Sequence, residues 1–569
     1  MGEARRGGSS SWIGYRPGMI TALLAILAAA APGPQGETPS APETVPAIRA
    51  QDIAGHIRVL ASDAFGGRGP GSEGEARAVA YIQERFEAAG LEPAGAGGWT
   101  QDVAMLELTP DDAPKASFEA AGEERALVSG RDVMITSPIA GGDVRVDSSE
   151  VVFAGYGVVA PEYGWNDYEG IDVRGKTVVV LVNDPGFRSG DPALFRGGAM
   201  TYYGRWTYKY EEAERQGAAA CLIVHEDDAA GYGWIVVNQS WGRPQLQLAA
   251  GPRAENTRIR GWITLEAARS LFAAAGADLG AMMASASTRE ARPHTIDARF
   301  SSSLANRVSR LVSPNVLGKV VGAERPDEYV LVCAHWDHLG TREGSAKEDN
   351  IFNGAVDNAS GTAAMLELAE AVGAQDPPPA RTVVFLGTTS EEKGLLGSKH
   401  YASAPLYPLA RTVAGLNIDG INVLGPMEDV VVVGYGASQL DDDLRVVARA
   451  QGRRVVPEST PERGYYFRSD HFPLAKVGVP MLYAGKGTVS VEHGVEWVKE
   501  QEDDYLQKRY HRVRDEFDPS WDLEGAAQDV RLYHALVQMW ATDARWRAWS
   551  PTSEFRAARE ASLRAARGR

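Results

Sequence analysis

The stretch that decides the fold contains three apolar segments, EYVLVCAH (328–335), RTVVFLGTT (381–389) and VAGLNID (413–419). The amphipathic pattern GTAAMLELAEAV (361–372) separates the first two and is typical of a helix with one buried face. Alternation of apolar strands with amphipathic helices indicates an α/β protein. Because it extends from about residue 304 to about residue 545, we predict a three-layer α/β/α fold with a mixed, mostly parallel central sheet.

Side chains that bind metals or protons follow each of these segments. His335 ends the first and Asp337 lies just beyond it; Glu391 and Glu392 follow the second, and Asp419 ends the third. Open α/β sheets build their sites at the carboxyl ends of strands, so we predict that the five groups meet at a metal site. His335 would bind through one ring nitrogen while Asp337 holds the other. Adjacent glutamates diverge, so one can bind metal while the other takes a proton from metal-bound water.

A further acid lies in a turn between the first two segments. Asp357 belongs to NGAVDNASG (353–361), a glycine-rich turn that opens a helix, where Asn358 and Ser360 can serve as caps. A carboxylate held rigidly at this point has two oxygens. It is therefore suited to bridge two metals that lie about 3.5–4 Å apart.

The last candidate ligand is His511, which lies beside Tyr510 in the charged stretch KRYHRVRDEFDP (508–519). Taken alone, a histidine in such a stretch is a solvated surface residue. We treat His511 as a candidate ligand only because the other candidate ligands are present in the same chain. We interpret His338 as a structural or rim residue.

Composition limits the classes of partner. The chain has 569 residues and a formal net charge of -17, so we expect two or three domains. Nucleic acid and anionic membrane surfaces would repel a chain of this charge, and we expect neither as a partner.

The amino terminus has the pattern of an export signal. Arginines precede an apolar run, residues 19–31, and Pro32 follows it. The run is too short to span a bilayer comfortably; an amino-terminal membrane anchor is the alternative. We predict a signal peptide at residues 1–31, no stable membrane insertion after its cleavage, and a periplasmic or extracellular protein.

Short β-rich segments with intervening turns set one region apart from the α/β alternation, and we predict a β-dominated insert there. The predicted order is signal peptide 1–31, flexible leader 32–46, first part of the α/β domain 47–135, β-rich insert 136–295, second part with the metal site 296–545, and basic tail 546–569. Cys221 and Cys333 lie in apolar segments of different predicted domains, which favours buried free thiols over a disulfide.

Seven segments, in this order, resemble the family of co-catalytic di-zinc aminopeptidases, whose relatives include secreted bacterial aminopeptidases, glutamate carboxypeptidase and the transferrin receptor. They are LASDAFGGRGPGSEGE, AHWDHLG, NGAVDNASG, SEEKGLLGS, NIDG, RSDHFPLAKVGVP and YHRVRDEFDP, spread over residues 47–545. The β-rich region, with GYGVVAPEYGWNDYEGIDVRGKTVVVLVNDP and RQGAAACLIVH, resembles the protease-associated domain, which in relatives lies near the site as a lid.

The resemblance implies a role for each candidate. Two Zn²⁺ ions are implied, with Co²⁺ or Mn²⁺ as possible occupants of such ligands. One ion would take His335 and Asp419, and the other Glu392 and His511, with Asp357 bridging both. The implied catalytic groups are Glu391 as general base, Asp337 as the residue that orients His335, and Tyr510 as a donor to the oxyanion. The family's pattern also predicts a cis peptide at Asp357-Asn358.

The expected activity is hydrolysis of the amino-terminal bond of peptides. A carboxypeptidase or dipeptidase of the same family is the main alternative and would need cations for the substrate carboxylate, for which Arg463 and Arg468 are candidates. A glutaminyl cyclase, which typically uses one zinc, and a receptor without activity are further alternatives. The receptor is disfavoured because every implied ligand is present. The sequence leaves the preferred residue, the native metal and the oligomeric state open.

Overall fold

The computed structural model describes residues 48–250, 255–342 and 348–567. The predicted signal peptide and leader lie outside the described residues. Within that part of the chain, no helix has the length and hydropathy that a bilayer span requires.

The centre of the fold is a mixed sheet. Parallel pairing joins Arg325–His335 to Arg381–Thr388 on one side and to Thr412–Asn417 on the other, and Thr412–Asn417 pairs in parallel with Met481–Gly485. An antiparallel strand flanks this group on each side. His294–Val320 pairs with Arg381–Thr388, and Asp429–Val432 pairs with Met481–Gly485. Asp429–Val432 also pairs in parallel with Arg454–Pro457. The predicted mixed, mostly parallel sheet is therefore confirmed.

Helices cover both faces of this sheet. One layer contains Ala50–Leu60, Glu73–Ala88, Gly361–Gly373, Leu440–Ala450 and Glu524–Thr542; the other contains Leu396–Ser403 and His471–Lys476. Successive residues of Arg325–His335 point to opposite layers. Val330 and Val332 pack in the larger hydrophobic cluster, whereas Leu331 and Cys333 pack in the smaller one. This strand is apolar throughout because both of its faces are buried.

A β-rich region adjoins the central sheet through one long strand, His294–Val320. The other strands of this region are Thr100–Pro110, Lys115–Ala120, Glu123–Leu127, Val133–Thr136, Gly142–Phe153, Thr177–Leu181, Ala220–His225, Gln245–Leu248 and Ile259–Thr264. Its helices are Pro185–Ser189, Trp206–Arg215, Asp227–Ala230, Trp234–Trp241, Leu265–Ala274 and Leu279–Ala286. Strands run through both predicted domain boundaries, near residues 135 and 295. The division into domains, and the assignment of a protease-associated domain, stay predictions.

The remaining elements are short or lie near the carboxyl end. They are the strands Glu92–Pro93, Val159–Ala160, Trp165–Asn166, Gly340–Thr341 and Ile351–Phe352, and the helices Gly494–Lys508 and Arg556–Arg567. Trp549 and Phe555, from the predicted tail, are buried in a hydrophobic cluster. Cys221 and Cys333 are buried free thiols, as predicted.

Candidate metal centre

The first group of candidate ligands forms around His335. Its Nε2 lies 3.3 Å from an oxygen of Asp419 and 3.4 Å from Oδ1 of Asp357. Strands Arg325–His335 and Thr412–Asn417 run in parallel, so His335 and Asp419 lie at the same edge of the sheet. The ligand atoms of these three residues all lie within 4.8 Å of one another, which is close enough to surround one ion.

The second group forms on the other side of Asp357. Nε2 of His511 lies 3.2 Å from Oδ2 of Asp357 and 3.2 Å from Oε2 of Glu392. Asp357 therefore presents Oδ1 to His335 and Oδ2 to His511. A carboxylate between two sets of donors has the position of a bridging ligand.

The turn around Asp357 is held by its neighbours. Asn358 donates from Nδ2 to the carbonyl of Ile418 at 3.0 Å, and its oxygen accepts the N–H groups of Gly361 and Gly420. The predicted cis peptide at Asp357-Asn358 is present. Capping by Ser360 is wrong: its hydroxyl donates to the carbonyl of Val356 at 2.7 Å, and Asn358 serves the start of the helix instead.

His338 lies closer to the centre than its predicted structural or rim position suggests. It is fully buried, and its Nδ1 lies 2.7 Å from Oε1 of Glu392. The ligand atoms of His338, Asp357 and Glu392 also lie within 4.8 Å of one another. Among the described residues, neither ring nitrogen of His338 nor Oε1 of Glu392 has a hydrogen-bond partner in favourable geometry. The spacing of HWDH, three residues beyond His335, was the available signal for this histidine.

Asp337 connects the first strand to the glutamate pair. Its Oδ1 accepts the N–H of Glu391 at 3.0 Å, and its side chain is fully buried. Nδ1 of His335 lies 3.1 Å from the main-chain oxygen of Asp337 and 3.8 Å from its carboxylate. The main-chain carbonyl is thus the nearer partner for orienting His335, and the carboxylate holds the loop that carries Glu391.

The two adjacent glutamates differ in their proton affinity. Burial raises the pKa of Glu391 well above its usual range, and the neighbouring carboxylates of Asp419 and Glu392 raise it further. Burial acts in the same direction on Glu392, but the imidazoles of His511 and His338 hold its pKa below its usual range. When two neighbouring acids have environments that push their pKa values apart in this way, one can carry a proton while the other stays ionised. Glu391 fits the first description and Glu392 the second.

Tyr510 stands at the mouth of the site. Its side chain is 43% exposed and its ring stacks on that of His511, with centroids 3.9 Å apart. Burial lowers the pKa of His511, but Glu392 and Asp357 outweigh this effect and raise it to about 9.

Two residues outside the predicted ligand set support the loops of the site. Arg68 is fully buried and donates to the carbonyls of Trp336, Leu60, Asn353 and Gly354 at 2.6–2.9 Å. Trp336 lies next to His335, Asn353 and Gly354 lie shortly before Asp357, and Leu60 ends the helix Ala50–Leu60.

Asp515 supports the same turn from the opposite side. Its carboxylate accepts the N–H groups of Val356 and Asp357 at 3.1–3.2 Å, and its main-chain oxygen accepts the N–H of Ala355 at 2.9 Å. Sequence reasoning gave no role to Arg68 or Asp515, although both lie in segments that resemble the family.

The stretch Ser469–His471, which sequence reasoning left without a role, lies behind the centre. Asp470 is buried and accepts hydrogen bonds from the hydroxyls of Thr388 and Ser398, and Asn417 donates to Ser469 at 2.7 Å. These hydrogen bonds hold the carboxyl ends of the strands Arg381–Thr388 and Thr412–Asn417 in position.

The donor set fits divalent metal ions. It consists of imidazole nitrogens and carboxylate oxygens in two groups that share Asp357. Imidazole with carboxylate is the ligand combination found in catalytic zinc sites.

The site opens into a cleft of about 2290 Å³. One wall contains the candidate centre, with Asp357, Glu391 and Asp419 among its lining residues. The β-rich region contributes other lining residues to the same cleft, including Arg205 and Tyr232.

Comparison with known proteins finds similarity to a family of enzymes over part of the chain. Residues 315–535 match the model of Peptidase family M28. A segment of 122 residues is 36% identical to "Aminopeptidase NAALADL1" of Mus musculus, covering 21% of this chain and 15% of that protein. A segment of 178 residues is 28% identical to "Glutamate carboxypeptidase 2 homolog" of Caenorhabditis elegans, covering 30% of this chain and 20% of that one. The chain thus spans about a fifth or less of these relatives.

Two solved structures are similar over most of the chain. "Aminopeptidase from Aneurinibacillus sp. strain AM-1" has a TM-score of 0.47 and 18% identity, covering 88% of this chain and 96% of that one. A zinc aminopeptidase from Bacillus subtilis has a TM-score of 0.41 and 18% identity, covering 88% and 97%.

Proposed function

We propose that the Peptidase M28 domain formed by residues 315–535 makes this chain a two-metal aminopeptidase that removes residues from the amino terminus of peptides. The observation that carries the proposal is the shared position of Asp357. Its two oxygens face His335 and Asp419 on one side, and His511 and Glu392 on the other.

The same residues define what each part of the site does. Zinc ions bound to the two groups would lower the pKa of a bound water and polarise the scissile carbonyl. Glu391 takes the proton of the attacking water and passes it to the leaving amine, a role supported by its place in the cleft next to Glu392. Tyr510, at the mouth, donates to the oxygen of the tetrahedral intermediate.

His338 is a second imidazole for the Glu392 side of the centre. It either binds the ion together with His511 or holds Oε1 of Glu392 so that Oε2 faces His511. The 2.7 Å approach of its Nδ1 to Glu392 supports the second role.

The distribution of charge favours a substrate with its amino end at the centre. The centre is lined by carboxylates, of which Glu391 stays unbound to metal, whereas cations line another part of the same cleft. An α-ammonium is attracted to the first and repelled by the second. A carboxypeptidase would bind its substrate in the opposite direction, and the same cations keep it as the alternative.

Export and the lid role of the β-rich region complete the proposal. Export is supported by the sequence of residues 1–31 alone. The β-rich region contributes lining residues to the cleft, which supports a role in restricting which peptides enter.

Glu391→Gln tests the mechanism. General acid–base catalysis typically contributes a factor of about 10² to 10⁴, so kcat should fall by that amount while metal content per chain is unchanged. Metal is measured by mass spectrometry, and turnover by release of the amino-terminal residue from carboxyl-blocked peptides. Glu496→Gln, an exposed glutamate outside the cleft, is the control.

Two results would contradict the proposal. Full turnover by Glu391→Gln would remove the proposed base. Cleavage by the parent protein of amino-blocked peptides, with release of the carboxyl-terminal residue, would replace the aminopeptidase with the carboxypeptidase.

A further inference from the structure

Four basic side chains line the same cleft as the candidate centre. Arg205 and Arg260 come from the β-rich region, Lys399 from the helix Leu396–Ser403, and Arg468 from the loop before His471–Lys476. We call them the cationic wall. Their position is unexpected from the sequence, because they lie far apart in the chain.

The residues of the cationic wall form no salt bridge with the protein. In the part of the chain that the structure describes, no carboxylate oxygen lies within 4.0 Å of a charged nitrogen of these four residues. Two other basic residues that line the cleft show the contrast, since Lys476 lies 2.6 Å from Glu211 and Arg215 lies 2.6 Å from Glu212. These two acids are thus already paired with other cations.

Hydrogen bonding within the cationic wall is equally incomplete. The Nε atoms of Arg205, Arg260 and Arg468 are buried, and they have no partner among the described residues. Arg468 donates from its terminal nitrogen to the carbonyl of Arg463 at 2.9 Å. A buried donor without a partner costs free energy and usually indicates a missing water, ion or ligand.

Aromatic rings hold the guanidinium groups in place without neutralising them. Arg205 lies 5.5 Å from the ring of Trp206, and Arg260 lies 5.8 Å from that of Tyr210. Arg468 lies between Tyr232 and Tyr465, at 5.9 and 5.1 Å. Such contacts orient a guanidinium while the charge remains available to a ligand.

The four cations are close enough to influence one another. Burial and, to a smaller extent, Arg468 lower the pKa of Arg205 to about 10. Burial is also the main cause that lowers the pKa of Lys399 to about 8, with Glu211 opposing the shift and Lys476, Arg205 and Arg260 contributing to it. Like charges kept together in a partly buried wall are stabilised when an anion binds between them.

We propose that the cationic wall is an anion subsite that binds a carboxylate of the peptide substrate on the leaving-group side of the scissile bond. This inference rests on the proposed function and adds a substrate class to it. The carboxylate is either the carboxyl terminus of a short peptide or an acidic side chain downstream of the cleaved residue. In either case the ammonium end lies at the acidic centre and the anion at the cationic wall.

Paired substrates test the subsite and separate the two sources of carboxylate. The first pair is Ala-Ala-Ala with a free carboxyl terminus against its carboxyl-terminal amide. The second is Ala-Glu-Ala-amide against Ala-Gln-Ala-amide. For each pair the readout is the ratio of kcat/KM, anionic to neutral, within one protein. The ratio cancels general changes in activity.

Charge-assisted hydrogen bonds in a partly buried site correspond to a factor of about ten to a hundred. We expect the parent protein to prefer the anionic member of one pair by this factor, mainly through a lower KM. In Arg205→Gln the ratio should fall toward one, and in the combined variant Arg205→Gln, Arg260→Gln, Lys399→Gln the preference should be lost. Arg269→Gln, an exposed arginine outside the cleft, should keep the parent ratio.

Binding to the Glu391→Gln protein, measured by calorimetry with the same pairs, gives the answer without turnover. If the parent hydrolyses none of the peptides while the anionic peptides bind more tightly, the proposed function fails and the subsite stands. Equal binding and equal kcat/KM within both pairs would overturn the subsite, as would a preference that survives in the combined variant.

Discussion

Replacement of Arg68 should destabilise the protein more than replacement of any exposed arginine. Its guanidinium is fully buried and donates four hydrogen bonds, to the carbonyls of Leu60, Trp336, Asn353 and Gly354. Arg68→Met would leave these oxygens without a donor and remove a positive charge from a site rich in acids. Arg68→Lys would keep the charge and lose the planar guanidinium, whose N–H groups point in several fixed directions.

The size of the effect follows from these contacts. A hydrogen bond to a charged group contributes about 1.5–3 kcal/mol, so four would add up to roughly 6–12 kcal/mol before the cost of burying the guanidinium. Removing one partner of a buried charged interaction typically costs about 3–5 kcal/mol. We therefore expect Arg68→Met to lose about 3–5 kcal/mol. A lysine has three donors on one atom and leaves at least one carbonyl unpaired, so we expect Arg68→Lys to lose about 1–3 kcal/mol.

The assay is urea unfolding followed by tryptophan fluorescence at neutral pH, with a chelator present so that metal binding does not contribute. Arg77→Met is the control, because Arg77 is half exposed and pairs with Glu73 within the same helix, Glu73–Ala88. Substitutions at the surface usually change the free energy of unfolding by no more than about 0.5 kcal/mol. A loss below about 1 kcal/mol for Arg68→Met would refute the reasoning, since it would mean that the four carbonyls find other donors.

Two further predictions concern Glu367 and Asp515. Burial raises the pKa of Glu367 to about 8 from 4.5, so the folded state binds the extra proton between these values and stability falls as the pH rises through this range. Glu367→Gln should therefore gain stability relative to the parent as the pH rises from about 5 to about 8; an equal difference in unfolding midpoint at both values would contradict this. Asp515→Ala removes the acceptor for the N–H groups of Val356 and Asp357, and each buried unpaired donor costs about 1–3 kcal/mol. This substitution should lower both the thermal stability and the metal affinity, and Asp515→Asn should lower both by a smaller amount. An unchanged metal affinity would show that Asp515 does not support the metal centre.

The sheet and the principal ligands were predictable because their signals are local. An apolar segment followed by a histidine or an acid marks the carboxyl end of a strand, and parallel strands bring such ends together. His335 and Asp419 follow this rule directly. Asp357 was predictable from its glycine-rich turn. His511 was not predictable from its surroundings, and only the resemblance to a family pointed to it.

Other parts of the site depend on how distant loops pack. His338 follows the end of its strand, where alternation no longer indicates the direction of a side chain. Its approach to Glu392 depends on a loop more than fifty residues away in the chain. The cationic wall combines the β-rich region with two elements of the central domain. Of its four residues, only Arg468 was among the candidates for binding carboxylates that the sequence indicated.

Arg68 and Asp515 show why supporting residues are harder to predict than ligands. Ligands meet one another through side chains, so each partner is visible as a residue type in the sequence. Arg68 instead donates to main-chain carbonyls, and Asp515 accepts main-chain N–H groups. Every residue offers such groups, so nothing in the sequence of the partners distinguishes them. The glycine before Arg68 is the one local trace: Gly67 has a φ of 65°, and a Cβ there would collide with the carbonyl oxygens of Gly340 and Phe352. A residue without a side chain is needed at that point for the turn to approach the centre closely enough for Arg68 to reach both loops.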